Sequence, residues 1–343
     1  MTGASRVQHS GVARHLGFAA CVLGIAWLAP AGLGQKPEKK RPEPESRVGQ
    51  LFIFENLKAP VTSMAVSKDG LRALVGGKTG AVQLLDLDNG TELRALQGPP
   101  IQICCLAFSA DGRSILAGGK SGTLVIWDAE TGKERQRWEG HRDMVECVAF
   151  LGDGKRAISG SGGVDHTMRQ WEVEGGKELK QSRFNKKAAI YALTFSFDGR
   201  AALTGHSSDV HLWDVASGKD LARFQGHQGR VTCVALARDG RTAVSAGKDK
   251  TVRVWDVVSK RERRLLEGHK DTVTTVAVSA DGKRVLSGSA DKSVRLWDIA
   301  SGKAVGLFEG HTDEVTSVAF LADGQRAVSG AADKTVRVWG LPK

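Results

Sequence analysis

The sequence predicts an all-β protein in which one unit of four antiparallel strands occurs seven times. Two stretches that begin at Gly268 and Gly310 align with each other without a gap. A tryptophan recurs near the end of most units, and stepping back 42 residues from the first one reaches Leu85, in the matching sequence VQLLDL. The count of units is therefore seven. The repeated tryptophans are Trp127, Trp171, Trp213, Trp255, Trp297 and Trp339, at separations of 44, 42, 42, 42 and 42 residues.

Each unit divides into short strands with alternating apolar side chains. In the last unit, residues 315–320 form the predicted first strand, residues 326–330 the second and residues 335–339 the third. The Asp323-Gly324 pair supplies a tight turn between the first two, because glycine adopts a positive φ without strain. In complete units a Ser-Gly-Lys type of turn, as at 301–303, leads into a fourth strand.

Gly-His and Trp-Asp dipeptides recur in phase with these units, as at Gly268-His269 and Trp297-Asp298. With four strands in about forty residues, this pattern resembles the WD-repeat (WD40) family. The resemblance covers residues 48 to 343 and implies a seven-bladed β-propeller, with one four-stranded unit in each blade. It identifies no subfamily, because the family is defined by its fold and not by one function.

The ring is expected to close by joining the two ends of the chain. The last unit stops after its third strand, whereas residues 51–55 precede the first strand of the first unit. When the first strands of these two units are aligned, Phe54 and Glu55 coincide with Phe308 and Glu309, at the end of a fourth strand. The N-terminal strand is therefore predicted to complete the last blade, which removes an exposed sheet edge.

The N-terminus has the features of an export signal. Residues 1–15 are basic, and residues 16–34 carry no charge and end in small residues, with an A-x-A pattern at 29–31. This pattern predicts a cleaved signal peptide over 1–34 and a secreted or periplasmic protein, the alternative being an uncleaved membrane anchor. Residues 35–47 are rich in proline and charge and are predicted to form a linker. The propeller domain then spans 48–343.

The composition bears on partners and cofactors. A formal net charge of +11 favours anionic partners and says nothing about the fold. The five cysteines include no CxxC pair and no Cys/His set at zinc spacing, so we expect no metal site. Because no glycine-rich loop precedes a helix, we also expect no nucleotide or other cofactor. Cys105, Cys147 and Cys233 occupy equivalent places in separate repeats, and together with Cys104 they are predicted to be buried thiols.

The resemblance also implies a hydrogen-bonded set in each complete blade: a His before the first strand, a Ser on the second, an Asp in the next turn, and the Trp. Ser, His and Asp together also suggest a nucleophilic triad. An active site is needed once, whereas a packing device is needed in every blade, so we interpret the sets as structural and expect no catalytic residue. The sets are His141, Ser159, Asp165 and Trp171; His227, Ser245, Asp249 and Trp255; His269, Ser287, Asp291 and Trp297; and His311, Ser329, Asp333 and Trp339.

Units one, two and four depart from this pattern. Unit one has Leu85 in place of Trp, unit two has Pro99 in place of His, and unit four lacks the Gly-His pair and has Ser207 near the Asp position. Sequence drift and selection for a different surface are equally good explanations. His206 and His211 of unit four are predicted to face solvent.

In the WD-repeat family, the loops before first strands and the turns between second and third strands share the face that meets partners. Basic residues are frequent at those places here, and we predict that they form a partner-binding rim. Clustered positive charge raises association rates with anionic partners and loses this effect at high salt. A solvated rim without function is the alternative, and Asp271, Asp313 and Glu314 are the main acids there. The rim residues are Lys58, Lys78, Lys120, Arg142, Lys187, Arg230, Lys248 and Lys270.

Together these features predict a non-catalytic scaffold outside the cytoplasm that binds a protein or an anionic polymer through the basic rim. The alternative is a propeller enzyme or lectin-like module acting on a glycan or other anionic polymer, which needs a non-repeated carboxylate cluster near the channel. A nucleic-acid adaptor is a third hypothesis, which the export signal disfavours. We expect a monomer, no nucleic-acid partner, and no membrane span once the signal is cleaved.

Overall fold

A computed structural model describes residues 48–55, 57–96, 101–184 and 189–343. The predicted signal peptide (1–34) and linker (35–47) lie outside the described residues, as do Pro99 and Lys187. The described chain forms 28 strands, arranged in seven antiparallel sheets of four strands each. Each sheet is one blade, so the predicted seven-bladed all-β propeller is confirmed.

Blades 1 to 3 each use four consecutive strands, with sheet order equal to chain order. Blade 1 contains β2 (Val61–Val66), β3 (Arg72–Gly77), β4 (Val82–Asp86) and β5 (Thr91–Leu96). Blade 2 contains β6 (Ile103–Phe108), β7 (Ser114–Gly119), β8 (Leu124–Asp128) and β9 (Glu134–Trp138). Blade 3 contains β10 (Val145–Phe150), β11 (Arg156–Ser161), β12 (Thr167–Glu172) and β13 (Glu178–Arg183).

Blades 4 to 6 repeat this arrangement, and blade 7 differs only in the origin of its outer strand. Blade 4 contains β14 (Ala192–Phe195), β15 (Ala201–Gly205), β16 (Asp209–Asp214) and β17 (Asp220–Gln225). Blade 5 contains β18 (Val231–Leu236), β19 (Thr242–Gly247), β20 (Val252–Asp256) and β21 (Arg261–Leu266). Blade 6 contains β22 (Val273–Val278), β23 (Arg284–Ser289), β24 (Val294–Asp298) and β25 (Ala304–Phe308). Blade 7 contains β26 (Val315–Phe320), β27 (Arg326–Ala331), β28 (Val336–Gly340) and β1 (Gly49–Phe54).

The ring closes as predicted, through the N-terminal strand. β1 pairs antiparallel with β28, so that Gly49 lies opposite Gly340 and Phe54 opposite Val336. The first strands of neighbouring blades contact one another in the order β2, β6, β10, β14, β18, β22, β26 and again β2, which places them around the central axis. Closure therefore pairs β28, which would otherwise be an exposed edge of blade 7.

The core lies between blades, where tryptophans pack against the outer-strand aromatics of the preceding blade. Trp339 of blade 7, for example, has its ring centre 5.5 Å from that of Phe308 in blade 6. In blade 1, where Leu85 replaces Trp, the leucine is equally buried. This packing explains why the repeat tolerates an apolar substitute at the Trp position but keeps the position apolar. The largest fully buried side chains include Trp127, Trp213, Trp255, Trp297 and Trp339.

Candidate functional site

The antiparallel order of the strands gives the ring two distinct faces. On one, which we call the rim face, the loop before each first strand meets the turn between the second and third strands. The Lys120 N–H donates to the Gln102 carbonyl (3.0 Å), and the Lys248 N–H donates to the Arg230 carbonyl (2.8 Å). The other, the opposite face, carries the first-to-second and third-to-fourth strand turns. There the Val257 N–H donates to the carbonyl of Arg241 at 2.8 Å.

Most of the predicted rim residues present free cationic side chains on the rim face. Within the described ranges, six of the eight are exposed and none of these six forms an ion pair. Arg230 differs, because it is half-buried and its guanidinium lies 4.1 Å from the ring centre of Tyr191 in blade 4. Lys187 lies outside the described residues. The six exposed residues are Lys58, Lys78, Lys120, Arg142, Lys248 and Lys270.

The rim is not uniformly basic. Glu314 of blade 7 is half-buried, and burial together with the nearby charges of Asp313 and Asp271 raises its pKa, while Lys78 opposes this shift. These three acids belong to blades 6 and 7.

The predicted His, Ser, Asp and Trp side chains are hydrogen-bonded to one another in the four blades concerned. In blade 6, Trp297 Nε1 donates to Ser287 Oγ (2.8 Å), and this hydroxyl lies 2.7 Å from His269 Nε2. His269 Nδ1 lies 2.9 Å from Asp291 Oδ2. Because the serine oxygen already accepts from the indole, its own proton points to His269, and the imidazole Nδ1–H faces the carboxylate.

The serine hydroxyls are inaccessible to any substrate. Ser287 has an exposed fraction of 0%, and the same holds for its equivalents Ser159, Ser245 and Ser329. A nucleophile has to reach its substrate, so a hydroxyl sealed between indole and imidazole favours a structural role. The contribution of each set to folding stability stays a prediction.

A fifth side chain, which the sequence reasoning missed, completes each set. Ser293 Oγ donates to Asp291 Oδ1 (2.6 Å) and lies 3.4 Å from His269 Nδ1. The sequence signal was present, since a hydroxyl residue follows each of these Asp residues at the second position. Hydroxyl residues are so common in turns that this signal carried little weight on its own. The equivalents are Thr167, Thr251 and Thr335.

The glycine of the Gly-His pair is required by close packing. Gly268 has a φ of +151°, and a Cβ there would lie 3.0 Å from Nη1 of Arg295 and 3.3 Å from the ring of Trp297. Gly310 repeats this geometry against Arg337, with a φ of +144°. A residue with a side chain at these positions would displace the arginine and strain the backbone.

The pKa values of the carboxylate and the imidazole of a set are both lowered, but for different reasons. Burial alone would raise the pKa of Asp291, but hydrogen bonds from Ser293, the Lys270 N–H and His269 outweigh it and lower the pKa below the usual range. Burial lowers the pKa of His269 despite the nearby Asp291 carboxylate. Asp291 is therefore ionised and His269 neutral at pH 7, as the hydrogen-bond pattern requires.

Blade 4 corrects the sequence prediction that His206 and His211 face solvent. Their exposed fractions are 2% and 1%. Thr204 Oγ1 accepts a hydrogen bond from Trp213 Nε1 (2.7 Å) and lies 2.9 Å from His206 Nε2. A histidine from the turn after the second strand thus replaces the missing one before the first strand. Ser207, predicted near the Asp position, is exposed.

His211 belongs to a second buried cluster in the same blade. Its Nδ1 lies 2.6 Å from Asp220 Oδ2, and its Nε2 lies 3.1 Å from Asp209 Oδ2. Arg223 Nε also donates to Asp209 Oδ2, at 2.6 Å. Because His211 is not at metal-ligand spacing with acids, the sequence predicts a solvent-facing side chain, but the neighbouring outer strand β17 covers it with the Asp220 carboxylate.

A β-bulge at the start of the first strand aims one side chain at the neighbouring blade in most blades. In blade 1, Thr62 Oγ1 donates to the Ile103 carbonyl of blade 2 at 2.7 Å. Thr232 and Thr274 donate to the corresponding carbonyls of blades 6 and 7. Hydroxyls around the central channel therefore link adjacent blades.

Glu146 occupies this bulge position in blade 3, and the sequence reasoning missed it. It is buried, and burial together with the charge of Asp143 raises its pKa to about 8. Cys104 takes the same position in blade 2, where burial and the Glu146 charge raise its pKa to about 12. The sequence signal was an acid within the otherwise apolar strand VECVAF. Whether that acid is buried depends on how neighbouring blades pack, which the strand alone does not show. The prediction of four buried free thiols is confirmed.

A candidate metal site and a membrane-spanning helix are both absent from the residues that the structure describes. Within these ranges, no group of three or more His, Cys, Asp or Glu side chains is placed to hold a metal ion. No helix in the same part of the chain is long and apolar enough to cross a membrane.

Comparison with known families identifies the repeat. Five segments match the model described as "WD domain, G-beta repeat", and together they cover more than half of the chain. The first three strands of blades 1 and 4 lie outside these matches, in agreement with their missing Trp and Gly-His residues. A search of curated proteins returned no match to the chain. The matched segments are residues 90–128, 132–172, 218–256, 260–298 and 302–340.

Proposed function

Because this chain belongs to the WD-repeat family, whose propellers are generally protein-interaction scaffolds, we propose that it is a non-catalytic scaffold with its partner site on the rim face. The partner is a protein, or another macromolecule, with an anionic surface. The single observation that carries this proposal is the set of six exposed cationic side chains on one face, none of them neutralised by an ion pair among the described residues. Unneutralised charge is available to a partner.

The proposal extends to the location of the protein. We propose that residues 1–34 direct export and are removed, and that residues 35–47 form a linker between this point and the ring. β1 starts at Gly49, opposite Gly340, where β28 ends on the opposite face. If the N-terminus were retained in a membrane or tethered to one, the chain would enter the ring on the opposite face, and the rim face would point away from the membrane. N-terminal sequencing of the exported protein should begin after Ala31 or Gly34, and an intact Met1 would contradict export by cleavage.

The rim is tested by reversing its charge and measuring partner capture from the native compartment by mass spectrometry. Capture should fall about tenfold or more, because opposed charges at the contact are replaced by like charges. The control reverses three cations on the opposite face: Lys219→Glu, Arg241→Glu and Lys303→Glu. The rim variant combines Lys120→Glu, Arg142→Glu, Arg230→Glu and Lys270→Glu.

Because Arg230 stacks on Tyr191, its reversal can affect folding as well as binding. A second rim variant that keeps Arg230 separates the two effects, since its three substitutions are at exposed positions. Capture lost only in the control variant would place the partner on the opposite face. Capture that survives in all three variants would mean that the positive charge serves solubility alone.

A further inference from the structure

At four junctions between neighbouring blades, the outer strands are joined by a repeated side-chain contact near the opposite face. A residue of the fourth strand donates a hydrogen bond to a carbonyl in the third-to-fourth strand turn of the next blade. This contact, which we call the outer clasp, fills the space between the two blades. It is formed by Arg94 with Thr131, Gln136 with Glu174, Ser182 with Ala216, and Arg264 with Ala300.

Between blades 6 and 7 both halves of the outer clasp are missing. Gly306 stands where blade 5 has Arg264, so blade 6 has no side chain to donate. Blade 7 has no third-to-fourth strand turn to accept, because β28 ends at Gly340 and the outer strand comes from the N-terminal side of the domain. The space stays open as a groove with a volume of about 450 Å³.

Most of the exposed wall area of this groove is apolar. Leu51, Val305, Leu341 and Pro342 line it. The two outer strands that border it, β1 and β25, contain no charged residue, whereas β21 of blade 5 contains four. Charges on outer strands normally protect free edges from pairing with other chains. The edges beside the groove lack this protection.

Four cationic residues line the groove against two acidic ones. Neither ammonium group of Lys283 and Lys343 forms an ion pair within the described ranges, and both residues line the groove. The acids beside them are engaged in their own turns: Asp281 accepts from Ser279 Oγ (2.6 Å), and Asp298 accepts from Ser301 Oγ (2.5 Å). An occupant with a carboxylate therefore has cationic partners in reach of the apolar walls.

We propose that this groove is a second binding site, for an extended peptide segment of a partner protein that alternates apolar and acidic side chains. The apolar side chains fill the space that the outer clasp occupies elsewhere, and the carboxylates pair with Lys283 and Lys343. An extended backbone can also pair with the unprotected edge of β25 or β1. The site is on the opposite face, so it does not depend on the proposed rim and allows the ring to hold two partners together.

The test uses a labelled, end-blocked hexapeptide of alternating leucine and glutamate, titrated into the full-length protein and followed by fluorescence anisotropy. Two comparison peptides alternate leucine with lysine and serine with glutamate. The leucine–glutamate peptide should bind about tenfold or more tightly than either comparison peptide. The double variant Lys283→Glu, Lys343→Glu should lose this preference without a change in melting temperature, since both side chains are exposed.

Two control variants separate this site from the rim. Lys219→Glu with Lys303→Glu alters equal charge on the same face outside the groove and should leave binding unchanged. The rim variant should also bind the leucine–glutamate peptide normally, even where it has lost its own partner. Equal binding of the serine–glutamate peptide, or binding that persists in the Lys283, Lys343 double variant, would overturn the proposal.

Two other occupants of the groove, a second copy of the chain and the chain's own residues 35–47, would each give a distinct experimental result. Concentration-dependent dimerisation in sedimentation velocity, abolished by the Lys283, Lys343 double variant, would assign the groove to a second copy of the chain. Peptide binding that appears only when Glu38, Glu43 and Glu45 are changed to Gln would assign it to the chain's own residues 35–47. Either result would overturn the assignment to a partner peptide, as would the absence of binding by every peptide in every variant.

Discussion

The two faces of the ring use their charged side chains in different ways. On the opposite face, the aspartates bind the turns that contain them: Asp298 accepts from Ser301 Oγ and from the Ser301 N–H, and these bonds lower its pKa. The same pattern recurs at Asp214 with Ser217. On the rim face, Lys120 and Lys248 end in solvent. The opposite-face aspartates therefore stabilise exposed turns, whereas a rim-face aspartate such as Asp291 completes a buried set, and exposed lysines without an ion pair among the described residues occur on both faces.

The two faces exist only in the closed ring. Opening the ring should therefore have the largest effect on stability. Deleting residues 48–57 removes β1, the partner of β28, and exposes that strand as an edge. We expect loss of cooperative unfolding and aggregation, measured by thermal melting and size-exclusion chromatography. Deleting residues 35–45 is the matched control and should leave the melting temperature unchanged. Normal melting of the first deletion would refute closure by β1.

Two aspartates, one on each face, sharpen the comparison. Asp291→Ala on the rim face leaves His269 and Ser293 without their buried acceptor, so the free energy of unfolding should fall by about 1–3 kcal/mol. Asp256→Ala on the opposite face removes only an exposed turn contact with Ser259 and should cost much less. Urea denaturation of both variants measures the difference. Equal or reversed losses would show that the structural set has been assigned to the wrong aspartate.

Much of this architecture follows from the sequence alone, because it rests on repetition. The six in-phase tryptophans, together with Leu85 one period before them, predict seven blades, and the alignment of Phe54 with Phe308 predicts the closing strand. What escaped prediction depends on contacts between distant segments. His206 is buried because it contacts Thr204 in place of the missing histidine before the first strand. No local sequence pattern predicts this replacement. The groove between blades 6 and 7 is formed by β25, which contains Gly306, together with residues from both ends of the domain, so no single stretch of sequence predicts it.

The burial of Glu146, on the channel side of blade 3, can be tested through the pH dependence of stability. Its pKa of about 8 lies above the value of the unfolded chain, so the folded state holds a proton that the unfolded state releases. Stability should therefore fall as pH rises from about 4.5 to about 8. Glu146→Gln should remove this dependence and raise the free energy of unfolding at pH 9 by on the order of 1 kcal/mol. Identical pH profiles of the two proteins in urea denaturation would contradict the burial of Glu146.

The smallest effect is expected at Ser207, which is exposed on the turn of blade 4. Because His206 and Thr204 already satisfy Trp213 there, Ser207→Ala should change the free energy of unfolding by less than about 0.5 kcal/mol. The same urea denaturation measures it. A loss as large as that of Asp291→Ala would mean that Ser207 replaces the missing aspartate after all.

Hydrogen–deuterium exchange of the protein, alone and with its captured partner, tests the division between the faces most directly. Slower exchange is expected in the rim-face segments 119–121, 141–144 and 247–249, where a partner would cover backbone amides. Segments 69–71, 239–241 and 301–303 on the opposite face should exchange at unchanged rates. Protection confined to these opposite-face turns, or no protection on the rim face, would contradict the proposal that the free cations of the rim form the binding surface.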